Sequence, residues 1–331
     1  MNWKGKKVLV TGACGFIGSH LVEYLVQKGA NVRAFIYYNS FGNWGWLESV
    51  SEETKNAIEI ISGDIRSQDS IRSAVNGSEM IFNLAALIAI PYSYISPTSY
   101  VDTNIQGTLN VMQAALDFNV SKVMQISTSE TYGTAKYIPI NEEHPLNAQS
   151  PYSATKIGSD AIASSFSNSF DLPVVIVRPF NTFGPRQSAR AIIPTIISQI
   201  LSGKKIVKLG SSKPTRDFTY VRDMVIGMTK LAENKLAIGK TINIGSGKEI
   251  SIGDLAILIK DLCSKNVEFQ FDSNERLRPE KSEVYRLLCD NSLLYEMTKW
   301  KPNISFKESM KETIDWFSEN LNYYKTDIYN I

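Results

Sequence analysis

Short apolar runs recur along this chain, each followed by small or polar residues and then by a stretch of helical period. Val8-Leu9-Val10 opens the series and leads, through a glycine-rich turn, to a segment with Leu21 and Leu25 on one helical face. Further runs lie at 31–36, 58–61, 80–84, 122–126, 174–177 and 241–244. Runs this short and this continuously apolar fit strands buried on both faces. Strands alternating with helices predict an α/β fold, a doubly wound parallel sheet covered on both sides. After Arg178 the pattern changes: Pro179, Pro185, Pro194 and Pro214 break the chain into loops and short elements. The run at 241–244 then returns to the sheet and ends at Gly245 and Gly247, and 251–263 and 305–320 read as amphipathic helices. The expected division is a dinucleotide-binding domain of 1–179 plus 221–245, and a smaller interleaved substrate-binding lobe of 180–220 plus 246–331.

The first turn carries the strongest chemical signal. Thr11-Gly12-Ala13-Cys14-Gly15-Phe16-Ile17-Gly18 joins a strand to a helix. Glycines at this spacing let the chain turn tightly and bring backbone N–H groups at a helix start to a pyrophosphate. The sheet is therefore expected to be Rossmann-like, with Gly12, Gly15, Phe16, Ile17 and Gly18 holding a dinucleotide. An acid near the end of the second strand would bind a ribose hydroxyl and repel a 2′-phosphate. This chain has Tyr37-Tyr38-Asn39-Ser40 there. NAD is the expected cofactor, with Asn39 and Ser40 offered to the ribose, and NADP stays open. Ligands in such sheets sit beyond the carboxyl ends of the strands. Asp64 and Ile65, Leu84, Ala85 and Ala86, Ser127, and Pro179 stand at those ends and join the cofactor set.

Thr128-Ser129-Glu130 follows another strand, and Tyr152 and Lys156 follow it at a spacing that shares one helix face. A free tyrosine ionises near pH ~10 and is a poor base in neutral water. A lysine ammonium beside it favours the phenolate, so the pair is expected to act as a base on an alcohol, with a lowered tyrosine pKa. Glu130 supplies a second proton-transfer group, which points to chemistry at a neighbouring carbon as well.

Composition narrows the field. The 331 residues are 43% hydrophobic and 21% charged, enough for a large core without disorder. A net charge of +2 with no long basic run gives no footprint for nucleic acid. No apolar stretch reaches the ~18 residues of a membrane span. The first apolar run is too short for a signal peptide, and three cysteines without ligand spacing fit a reduced compartment, so a cytoplasmic location is expected. With His20 and His144 as the only histidines, neither a histidine-based triad nor a multi-histidine metal site is expected.

These motifs resemble the extended short-chain dehydrogenase/reductases, specifically nucleotide-sugar 4,6-dehydratases and their epimerase relatives. The likeness runs from the Gly12–Gly18 turn through Gly63-Asp64-Ile65-Arg66, Thr103-Asn104, Thr128-Ser129-Glu130 and Ser150-Pro151-Tyr152 to Lys156. It continues through Arg178-Pro179-Phe180-Asn181, Thr215-Arg216-Asp217, Tyr220-Val221-Arg222-Asp223 and Arg278-Pro279-Glu280-Lys281-Ser282-Glu283. Within the family it is similar to bacterial N-acetylglucosamine-nucleotide dehydratases of the legionaminic acid type, through Arg278–Glu283 and Ser188-Ala189-Arg190. The resemblance implies that Tyr152, with Lys156 and Thr128, deprotonates the sugar 4-hydroxyl and that Glu130 removes the C5 proton. The product would be a 4-keto-6-deoxy sugar linked to UDP or GDP. Arg216 and Arg278, with Asn181 and Arg190, would bind the substrate diphosphate, while Asp223 would be structural. Ser129 stands where dTDP-glucose dehydratases have Asp and GDP-mannose dehydratases have Ser. UDP-glucuronate decarboxylases share Thr-Ser-Glu, so a decarboxylase is an alternative; a 4- or 5-epimerase is another, lowered because typical 4-epimerases lack the glutamate. A nucleotide-sensing regulator without turnover is the non-enzymatic one. The family also implies a homodimer seamed by helices near 98–117 and 151–169, where Ala114, Ala115, Ala161 and Ala163 offer small residues.

Overall fold

Each apolar run of the sheet domain is a strand of one parallel sheet. The computed structural model describes residues 2–272, 279–326 and 328. Its strands are β1 (Lys7–Thr11), β2 (Asn31–Tyr37), β3 (Ile58–Gly63), β4 (Met80–Asn83), β5 (Lys122–Ile126), β6 (Val174–Pro179), β7 (Asn181–Phe183), β8 (Ile206–Lys208), β9 (Thr215–Tyr220), β10 (Thr241–Ile244), β11 (Glu249–Ser251) and β12 (Glu268–Gln270). Seven of these pair in the order β3-β2-β1-β4-β5-β6-β10, all parallel. The order reverses between β1 and β4, and a crevice for ligand opens at such a reversal. Register places Thr11 beside Asn83, so the turns after β1 and β4 are neighbours.

Successive residues of a strand point to opposite faces, and each face has its own core. Val8 and Val10 pack with Leu21, Leu25, Met224 and Met228 on one side. Leu9 packs with Ile81, Val111, Val123 and Phe166 on the other. Covering both faces is why β4, β5 and β6 are buried at every position. Each fully buried aliphatic side chain contributes about 1.5–3 kcal/mol.

A third core binds the helices Ile192–Leu201, Ile252–Cys263 and Phe306–Glu319, through Ile196, Ile200, Leu255, Ile259, Met310 and Phe317. It also carries the short sheet β11-β9-β7 and the pair β8-β12. Leu294 and Trp300 behave otherwise: although their segment was expected with the smaller lobe, they pack into the core beside the sheet. Trp300 Nε1 donates to the Asp223 carbonyl, and the Asp223 carboxylate accepts from the backbone N–H of Asn303 and Ile304. That carboxylate ties the returning chain to the helix Val221–Glu233. No helix among the described residues is long and apolar enough to cross a membrane.

Two details of the fold bear on the site. Helix Pro151–Phe170 starts at a capping box between Ser150 and Ser153, with Pro151 in its first turn, which fixes Tyr152 at a defined position. It packs against helix Gly107–Asp117. Ala114, Ala115 and Ala163 are buried in the core of this chain and are not free to form a seam between copies, whereas Ala161 is exposed.

Candidate active site

The nucleotide end is built around one hydroxyl. Thr11 Oγ1 donates to Asn83 Oδ1 at 2.7 Å and accepts from the backbone N–H of Leu84 and Ala85, each at 3.1 Å. Gly12 follows with φ +66°, and a Cβ there would lie 2.9 Å from the Ala85 nitrogen. A Cβ on Gly18 would lie 2.2 Å from the Gly12 carbonyl oxygen. The glycines therefore keep the turn pressed against Ala85. Helix Phe16–Gln27 has no side-chain cap and no acid in its first turn, which leaves its positive end suited to an anion. Phe16 and Ile17 also pack against the core of the smaller lobe. These features fit a dinucleotide pyrophosphate.

The remaining cofactor candidates divide. Leu84, Ala85 and Ala86 are partly exposed at the end of β4, and Pro179 ends β6 in a buried position. Asp64 is engaged by its neighbour: its carboxylate accepts from the Arg66 backbone at 2.9 Å and from Arg66 Nε at 3.0 Å, which holds it below the usual carboxylate range. Ile65 is buried against Gly107. Asp64, Arg66, Ser67, Asp102 and Gln106 line an open cleft of about 500 Å³. Asn39 closes its own turn, with Oδ1 accepting from Asn43 N–H at 3.1 Å and Nδ2 donating to the Asn43 carbonyl at 2.7 Å. Its amide is thus occupied locally, and Ser40 is an exposed residue of the same turn. Ser127 Oγ, expected at the cofactor, donates instead to Asp160 Oδ2 at 2.8 Å.

Strand and helix bring Thr128, Glu130, Tyr152 and Lys156 together. Thr128 caps the short turn Ser129–Tyr132, its Oγ1 accepting from Glu130 N–H at 3.2 Å. It also lies close enough to the Tyr152 phenol to favour its ionisation, which the Glu130 carboxylate opposes. Ser129 is buried beside them. Lys156 Nζ donates to the Ile126 carbonyl at 2.7 Å. Tyr100 meets the Tyr152 ring edge-on, with centroids 6.3 Å apart.

The expected lowering of the tyrosine pKa is absent. Burial pushes the Tyr152 phenol up, and Glu130, Tyr100 and Asp160 push the same way, against Thr128. Burial pulls Lys156 down to about 8, with Asp160 opposing. The reason is dielectric: both groups lie in the interior, where each loses hydration of its charged form. The lysine ammonium is directed to a backbone carbonyl.

On the substrate side, Asn181 Oδ1 is buried and finds no hydrogen-bond partner among the described residues. A carboxamide left this way fits a group supplied by a ligand. Arg216 is buried, with Nη2 3.2 Å from Glu283 Oε1 and Nη1 donating to the Thr215 carbonyl. Arg190 is exposed, and its charge favours ionisation of Tyr100, whose phenol burial nonetheless pushes up to about 12. Arg278 lies outside the described residues. The described residues that follow it are tied to two other segments: Ser282 Oγ donates to the Gln149 carbonyl at 2.5 Å and meets the Tyr94 hydroxyl, while Gln149 Nε2 donates to the Lys281 carbonyl.

Sequence reasoning missed Tyr94, Gln149 and Tyr100, which no motif marks. It also missed the buried Asp160–Arg178 pair, 3.0 Å apart, and the links from Arg178 Nη1 to the Tyr132 hydroxyl and from that hydroxyl to Asn243 Oδ1. A signal existed for Asp160, which extends the Tyr152 and Lys156 spacing by one further helical step.

The chain is similar to known proteins over nearly its whole length. The family model for GDP-mannose 4,6 dehydratase matches residues 9–313. A UDP-N-acetyl-alpha-D-glucosaminuronate decarboxylase of Bacillus cytotoxicus is 34% identical, over 95% of this chain and 98% of its own. A double mutant of the dTDP-glucose 4,6-dehydratase of Streptomyces venezuelae, solved with NAD bound, superposes with a TM-score of 0.87 at 27% identity, covering 96% of this chain and 98% of that one. A UDP-N-acetylglucosamine 4-epimerase of Methanobrevibacter ruminantium, in complex with UDP-N-acetylmuramic acid, reaches 0.86 at 31% identity, covering 96% and 99%.

The glycine turn makes a direct prediction. Gly18→Ala forces a Cβ onto the Gly12 carbonyl and should weaken NAD binding, measured by calorimetry, about tenfold or more (~1.4 kcal/mol). Gly253→Ala, whose new Cβ meets Ser212 at an ordinary 3.5 Å, should leave it unchanged. Equal affinities for the two variants would remove the turn from the cofactor site.

Proposed function

This chain belongs to the GDP-mannose 4,6-dehydratase family of nucleotide-sugar dehydratases, epimerases and decarboxylases, and within it we propose that the protein is an NAD-dependent 4,6-dehydratase. Its substrate is a UDP- or GDP-linked hexose, with N-acetylglucosamine as the sugar, and its product is the 4-keto-6-deoxy sugar. The observation that carries this reading is Glu130 beside Tyr152 at the end of β5. A reaction confined to C4 needs one proton-transfer group; an elimination across C5 and C6 needs a second.

Bound NAD would supply the hydride acceptor for oxidation at C4 and the hydride donor for C6. The Gly12–Gly18 turn would hold its pyrophosphate, Asp64 and Ile65 would belong to the same cofactor set, and Tyr152 with Lys156 would stand at its nicotinamide end. Tyr152 accepts the 4-hydroxyl proton as the C4–H bond breaks, and Thr128 steadies the same oxygen. The resulting ketone acidifies C5–H, and Glu130 takes that proton. The C6–O bond breaks and the 6-hydroxyl leaves as water, with Ser129 relaying the proton it needs. Hydride at C6 and a proton at C5 complete the product, so the net change is loss of one water. Each positioned proton transfer contributes about 10²–10⁴-fold in rate. Arg216 and Asn181, with Arg190 and Arg278, hold the diphosphate; a guanidinium fork suits it.

A decarboxylase acting on a C6 carboxylate is the second reading, favoured by the 34% identical relative and by the shared Thr-Ser-Glu triplet. A panel of sugar nucleotides separates the two by product: 4-keto-6-deoxy sugar from a hexose, or a pentose and carbon dioxide from a uronate. Binding without turnover of any of them would instead indicate a sensor. We also propose a cytoplasmic homodimer, formed across the exposed face that includes Ala161, with the product supplying glycan assembly.

Two outcomes test this reading. Glu130→Gln keeps the size of the side chain but removes its basicity, so C4 oxidation should persist while 6-deoxy product falls by about 10²-fold or more. Reduced nicotinamide should then accumulate at 340 nm, and deuterium exchange at C5 should be lost. Normal product formation by this variant would take away the basis for a dehydratase. Light scattering at micromolar concentration should give twice the chain mass, and a monomer mass would contradict the dimer.

A further inference from the structure

Tyr152 and Lys156 share their helix face with a third ionisable group. Asp160 lies one step beyond Lys156 and is 4% exposed. Three donors converge on its Oδ2: Ser127 Oγ at 2.8 Å, Arg178 Nη2 at 3.0 Å and Arg178 Nε at 3.1 Å. Its Oδ1 is buried with no hydrogen-bond partner among the described residues. An arginine and a carboxylate that serve only each other commonly use both oxygens. Here the guanidinium takes one and spends Nη1 on the Tyr132 hydroxyl, leaving the carboxylate with capacity in the interior beneath the site.

We propose that Asp160 is a positioning residue for the Tyr152–Lys156 pair, which keeps Lys156 charged inside the protein and sets the pH range over which the pair works. The proposal rests on the reading that this pair carries the C4 proton transfer. The groups that bear on Asp160 come from every side. Lys156 and Tyr152 stand on its own helix, Arg178 on β6 and Ser127 at the end of β5. Glu130 and Tyr100 act on the same phenol, while Tyr132 and, beyond it, Glu142 adjoin Arg178.

The sign follows from electrostatics. Asp160 stabilises the Lys156 ammonium, whose pKa burial has drawn down to about 8, and it opposes the Tyr152 phenolate. Replacing Asp160 by Asn removes a negative charge from both. Lys156 then loses its proton at lower pH, and Tyr152 loses its proton at lower pH as well. Both limbs of the pH–rate profile move toward acid. A side chain that merely packs would change stability or rate and leave the limbs in place.

The test reads Lys156 itself. In protein carrying ¹³Cε-lysine, the Lys156 resonance is identified by its loss in Lys156→Arg, and its titration is followed without substrate. In Asp160→Asn the midpoint should fall by about one pH unit or more, and the kcat/KM profile should shift the same way. Arg178 would be left buried without its partner in that variant, so the double variant Asp160→Asn/Arg178→Gln is measured beside it. Lys156 should titrate low in the double variant too, since Asp160 is the charge that acts on it. A Lys156 midpoint unmoved in either folded variant overturns the proposal. Absence of turnover by the wild type with every sugar nucleotide would instead overturn the dehydratase reading, and the lysine titration would still decide the role of Asp160.

Discussion

Thr11 joins the two strands between which the site opens. Its hydroxyl bridges the end of β1 to Asn83, Leu84 and Ala85 at the end of β4. That bridge sits where the strand order reverses, so three turns (Gly12–Gly18, Leu84–Ala86 and Ser127–Glu130) converge on one crevice. Nothing downstream works without this register. Gly12 tolerates no side chain because Ala85 is so close, and Ala85 is that close because its own N–H and that of Leu84 both donate to Thr11 Oγ1. The sheet cores on both faces make the arrangement rigid.

Below the crevice the chain accepts an electrostatic load. Tyr152, Lys156, Asp160 and Arg178 are all buried. A buried ion pair is costly to break, about 3–5 kcal/mol when one partner is removed, and yet often adds little net stability. Here the pair lies beside Tyr152 and Lys156, and the Asp160 charge acts on both groups. Burial disfavours the charged forms of both Lys156 and Tyr152. Thr128 favours the Tyr152 phenolate and Asp160 favours the Lys156 ammonium, so each moderates one of those effects, although Asp160 also opposes the phenolate.

Much of this was legible in the sequence, for identifiable reasons. The strands could be read because burial on both faces demands continuous apolar runs, as in Val8-Leu9-Val10 and Lys122–Ile126. The glycine turn and the Tyr152–Lys156 spacing were legible because their geometry is local. What was hidden is non-local or competitive. Asp160 and Arg178 meet through a helix and a strand, a pairing that no periodicity announces. Asn39 was offered to the ribose, and its amide closes a turn with Asn43, a local bond that the sequence pattern did not announce. Ala114, Ala115 and Ala163 were read as small residues for a seam between copies, while their size serves the packing of two helices within the chain. The tyrosine pKa moved against expectation because the spacing rule gives proximity and says nothing of desolvation.

In the proposed reaction one active site oxidises C4, eliminates across C5 and C6, and returns the same hydride to C6. The most direct measurement uses UDP- and GDP-N-acetylglucosamine carrying deuterium at C4, with mass spectrometry and NMR of the product. The account predicts a 4-keto-6-deoxy sugar with the deuterium now at C6 and a solvent-derived hydrogen at C5. Deuterium retained at C4 of an epimerised, still 6-hydroxylated sugar would contradict it.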